Sequence, residues 1–79
     1  MSTLDVEIVS LGDDEVKREI IKKLRELKTS DYTFDDVSLI IRPVMEYFQK
    51  QGYCISDDRV RKMGRDIVKY YMRFGKLPE

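Results

Sequence analysis

From Ser56 to Gly75 the chain reads as one long amphipathic helix, and that helix sets the terms for everything else. At about 100° per residue, Lys62, Arg65, Lys69, Arg73 and Lys76 fall within roughly an 80° sector. Val60, Met63, Ile67, Tyr71 and Phe74 fall on the opposite side. Such a rod must lay its apolar side on a core and turn a positive ridge outward. Ser56 is placed to cap its start, with Ile55 and Val60 as a hydrophobic staple. Gly75 and Pro78 close its end. Gly64 sits in the middle of the apolar side, where another element can approach closely. Without such an approach it costs about 1 kcal/mol against alanine.

Two further segments supply the core. After Gly12, the acids Asp13, Asp14 and Glu15 occupy a first helical turn, where negative charge suits unpaired N–H groups. Val16, Ile20, Ile21, Leu24 and Leu27 form the apolar side, and Glu19 with Lys23 makes a charge pair on the wet side. This helix ends near Lys28, ahead of Thr29-Ser30-Asp31. The next begins at Thr33, with Asp36 three residues on as a capping box and Tyr32 with Val37 as a staple. Phe34, Val37, Ile40, Ile41, Val44, Met45 and Phe48 share its apolar side, and Gly52 ends it with Tyr53 in reach of Phe48. Pro43 removes one hydrogen bond and crowds the preceding turn, at about 3 kcal/mol. The apolar phase continues through it, which predicts one kinked helix rather than two.

Leu4, Val6 and Ile8 alternate with Asp5 and Glu7, the period of a half-buried strand or extended arm. Its backbone needs a partner: a second copy, or a segment such as 53–55. The expected architecture is all-α. A small three-helix bundle over 12–79, kinked at Pro43, follows an extended arm or short β-strand over 1–11.

Seventy-nine residues are one small domain, of the size that often leans on a partner, a metal or disulfides. Metal and disulfides are poorly served by a chain with no histidine and the single cysteine Cys54. Cys54 reads as a small, partly buried loop hydrophobe and fits a reducing, cytoplasmic setting. No apolar run approaches a membrane span, and the first residues lack a signal-peptide layout. The charge is balanced but divided. Residues 1–36 carry six basic and ten acidic side chains, and residues 37–79 carry nine basic and five acidic. A dipolar chain orients charged partners or associates with itself.

No nucleophile–base pair or phosphate loop is written here, so the sequence predicts no enzyme, no cofactor, no metal and no small-molecule substrate. The acids at the helix starts read as capping. Two surfaces remain. The basic ridge of Lys62, Arg65, Lys69, Arg73 and Lys76 is either a solvated face or a contact for an anionic partner, nucleic acid included. Asp58 and Asp66 lie within it and repel phosphate. A helix-turn-helix places the start of its second helix on the bases, and here that start is Asp57-Asp58. A strand-first dimer reading the groove would present Asp5 and Glu7. The second surface is Leu39, Pro43 and Tyr47, recurring every four residues away from the main apolar stripe, with Tyr70 bordering the ridge. A helix central to the bundle would bury that side, and this is the favoured expectation. An exposed side would be a docking patch anchored by Tyr47. The leading functional expectation is a non-catalytic protein-interaction module, an adaptor or regulator binding another protein or a second copy of itself. The alternative is nucleic-acid binding through the ridge.

Overall fold

The computed structural model describes residues 11–29 and 31–78. Three helices carry this part of the chain: α1 (Asp13–Glu26), α2 (Phe34–Gln49) and α3 (Asp57–Phe74). No strand occurs among the described residues. The alternating segment read as an arm or strand lies outside them.

Each helix packs on both others. Arg59, near the start of α3, donates to the Leu11 carbonyl at 2.7 Å and to Asp13 at 2.6 Å, at the start of α1. Tyr71, near the end of α3, donates to Asp31 just beyond the end of α1. These two helices therefore run in the same direction. The start of α2 meets the later part of α3, with Arg65 over the Phe34 ring and Gly64 against Val37. So α2 runs antiparallel to both neighbours, and the bundle is a triangle of three rods.

The helix ends follow local chemistry. Gly12 caps α1 with extended backbone. The Asp36 carboxylate accepts from the Thr33 N–H at 2.8 Å in the capping box of α2. Ser56 accepts from the Arg59 N–H at 3.2 Å at the start of α3. After α2 the Tyr53 N–H reaches the Phe48 carbonyl and the Gly52 N–H reaches Gln49, each at 3.0 Å. That is the paired closure of a Schellman motif, with Gly52 left-handed at φ +90°. The Tyr53 ring meets Phe48 edge-on at 6.3 Å, the apolar contact such a motif favours. α1 closes at Lys28, left-handed at φ 54° without being glycine.

The core is built from Val16, Ile20 and Leu24 of α1, Val37, Ile40 and Val44 of α2, and Val60, Ile67 and Val68 of α3. Burying a side chain of this class contributes about 1.5–3 kcal/mol. Gly64 is buried among them, and a Cβ there would stand 2.7 Å from a methyl of Val37. α2 and α3 thus touch nearly backbone to side chain, the close approach expected of a glycine at that site.

Several side chains depart from their expected faces. Phe74 was expected in the core and is 56% exposed. By its level α1 has ended, since Asp31 and Tyr32 already stand beside Tyr71, and the ring contacts of Phe74 are with Tyr70 and Arg73 of its own helix. Val68 is buried in its place, because the inward direction of α3 is rotated toward Gly64 and α2. Phe34 is also exposed, at the end of the bundle. Lys76 does not prolong the ridge. The helix stops at Phe74, Gly75 turns left-handed at φ 76°, and the chain folds back to bury Leu77 and Pro78. Glu19 was placed on the wet side and is 6% exposed, its carboxylate 3.4 Å from the Lys23 ammonium without a hydrogen bond to it. Cys54 is exposed rather than partly buried.

Candidate interaction surface

The second side of α2 is where the sequence left two alternatives, and its exposure overturns one of them. Leu39 is 64% exposed, Tyr47 is 39% exposed, and Pro43 is exposed as well. The favoured expectation of a central helix buried on both sides is therefore overturned. In a triangle no rod is central. Each meets two neighbours across one sector and leaves the remainder wet. Leu39 points almost directly away from the core, and the stripe spirals from it through Pro43 to Tyr47, whose ring rests edge-on against Phe48 at 5.0 Å. Proline has no N–H to give, so α2 cannot make its usual bond to the carbonyl of Leu39. Asp35 and Glu46, both exposed, flank the stripe.

On α3 the positions Lys62, Arg65, Lys69 and Arg73 are all exposed and share one side. Lys76 is exposed too, but it lies past the reversal at Gly75. Among the described residues no carboxylate comes within ion-pair distance of these four helical cations. The cations off the ridge differ: Arg59 pairs with Asp13 at 2.6 Å and Arg61 with Asp57 at 3.2 Å. Two ridge guanidiniums instead lie over aromatic rings, Arg65 over Phe34 at 5.0 Å and Arg73 over Phe74 at 5.6 Å. Each such contact holds a long side chain in place and is worth about 0.5–1 kcal/mol when exposed. Tyr70 is 37% exposed and packs on Phe74 at 4.5 Å between centroids. Met72, which the sequence reading passed over, is 56% exposed beside Lys69 and Arg65. Its signal was available: an apolar letter on the wrong side of an otherwise well-phased helix.

Among the described residues one titratable group, Tyr71, is perturbed. Partial burial first, then the hydrogen bond to the Asp31 carboxylate and its charge, raise the Tyr71 phenol above its ordinary value. The bond ties the loop after α1 to α3 and keeps the proton on the ring oxygen.

The grooves hold no concentrated chemistry. One, about 970 Å³, is open and runs along α1 to Tyr47 and Tyr53, with Arg18, Lys22, Glu15 and Glu26 mixed along its rim. A smaller one of about 270 Å³ lies between α1 and α3, lined by Asp13, Asp14, Asp66, Tyr70 and Pro78. Among the described residues no group of three or more His, Cys, Asp or Glu side chains is arranged to hold a metal ion. No described helix is long and apolar enough to cross a membrane. Comparison with protein-family models, with curated proteins and with solved structures gives no match.

Proposed function

We propose that this chain is a non-catalytic protein-interaction module, a small adaptor or regulator that works in the cytoplasm through the outer sides of α2 and α3. The observation that carries this reading is the exposed stripe of Leu39, Pro43 and Tyr47 on a helix whose other side is fully committed to the core. Contiguous apolar surface rimmed by charge is characteristic of docking sites, and a half-exposed tyrosine is a favoured anchor. Tyr70 and Met72 extend the same kind of surface onto α3. A bend at Pro43, part of the same proposal, would curve the stripe around the core and shape it to a partner. The free, exposed thiol of Cys54 suits a reducing compartment.

A photo-reactive phenylalanine analogue placed at Leu39 tests the reading in cells, with one at Lys22 on the outer side of α1 as control. Discrete protein adducts from position 39 and none from position 22 are the expected result. An equal or empty pattern at both positions would remove it.

Nucleic-acid binding is the second reading, supported by four ridge cations without carboxylate partners among the described residues. It predicts a log–log salt slope of about −3 to −4 on duplex DNA. A flat slope, or no binding at low salt, excludes it. Asp58 and Asp66, both exposed on the same side, weigh against it.

A further inference from the structure

The charges on the outer sides of α2 and α3 match each other, position by position, when the helices are laid antiparallel. Asp35 and Glu46 are eleven residues apart, as are Lys62 and Arg73. Both spacings are about 16 Å of helix rise and return to nearly the same side. With Asp35 level with Arg73, Glu46 comes level with Lys62. The same register sets Arg42 level with Asp66, and Lys50 with Asp58. Every one of these residues is exposed. None of Asp35, Arg42, Glu46, Lys62, Asp66 or Arg73 has an ion-pair partner among the described residues of its own chain. Asp58 stands 3.8 Å from Arg61 with its side chain 95% exposed. The two acids that spoil the ridge for phosphate thus find cations in this alignment. Leu39 falls level with Lys69 and next to Tyr70, while Pro43 and Tyr47 fall level with Arg65 and Arg61, whose long aliphatic stems can pack on them.

Resting on the interaction reading above, we propose that the partner is a second copy of this chain, with the outer side of α2 on one copy docked antiparallel against the ridge of α3 on the other. The chain carries both halves of the contact, and each half is balanced: Asp35, Arg42, Glu46 and Lys50 on one side, Asp58, Lys62, Asp66 and Arg73 on the other. Four alternating charge pairs fix direction and register, because sliding one helix by a turn brings like charges together. The apolar stripe supplies the buried area that surface ion pairs alone do not.

Sedimentation over a range of concentrations reads the association directly. One variant carries Asp35→Lys with Glu46→Lys, the other Lys62→Glu with Arg73→Glu. Each alone should associate at least about tenfold more weakly than the native chain, and an equimolar mixture of the two should regain it. Circular dichroism establishes that both variants keep their helices. If Asp35→Lys lowers helix content, the single swaps Glu46→Lys and Lys62→Glu carry the same test. A native chain that stays monomeric to millimolar concentration, variants that associate normally, or a mixture that stays apart would each overturn the proposal. The adduct from position 39 separates the two readings: twice the chain mass is expected here. A different mass with a monomeric native chain leaves the interaction module standing and overturns self-association.

Discussion

Gly64 shows how one missing methyl group sets the distance between two helices. Helix propensity alone favours alanine there by about 1 kcal/mol. The added Cβ would stand 2.7 Å from Val37, a β-branched side chain buried to 2% exposure that has few rotamers to escape into. Overpacking of this kind costs about 1–3 kcal/mol. Gly64→Ala is therefore expected to lower stability by about 1 kcal/mol, and Gly64→Ala with Val37→Ala to show strong favourable coupling in urea denaturation. Additive losses would mean that the two residues do not meet. The sequence identified this position because the glycine stands on the apolar side of an otherwise well-patterned helix. It could not identify Glu19 as buried. A glutamate four residues before a lysine has the pattern of a surface pair, and only tertiary placement draws it inward.

At the scale of the elements, start and stop signals proved the most legible part of the chain. Thr33 with Asp36, Ser56, Gly52 and Gly75 act where their chemistry placed them, since a cap is a local event that needs no knowledge of the fold. Facing was less legible. Periodicity found the stripes but not their true centres, so Val68 was missed and Phe74 was assigned to a core that ends before reaching it. Lys76 was carried onto the ridge by continuing a helix that Gly75 had already turned aside. α2 carries a testable oddity of its own, for Pro43 is exposed in mid-helix. Pro43→Ala restores the missing bond to Leu39 and relieves the clash, and should raise stability by up to about 3 kcal/mol. If binding at the stripe weakens while stability rises, the proline is retained for the partner. No gain in the denaturation midpoint would show that α2 already relaxes around it.

For the molecule as a whole, a bundle of three helices followed from three amphipathic stripes and short connections. Which sides stayed wet did not, because periodicity reports how much of a rod is apolar and not how many neighbours it will meet. The charge division between residues 1–36 and 37–79 was plain from the letters, yet its meaning depended on which charges remained unpartnered after folding. The left-handed turn at Gly75 has one more consequence. By sending Leu77 and Pro78 back along α3, it brings residue 78 into a groove with Asp13 and Asp14 and into another with Leu11. Residues 11 and 78 line one groove, so a linker can span from one to the other along it. A circular permutant that joins residue 78 to residue 11 through a few glycines and opens between Gln51 and Gly52 should fold with the same circular dichroism. Only the closure behind Phe48 would be lost, at about 1 kcal/mol.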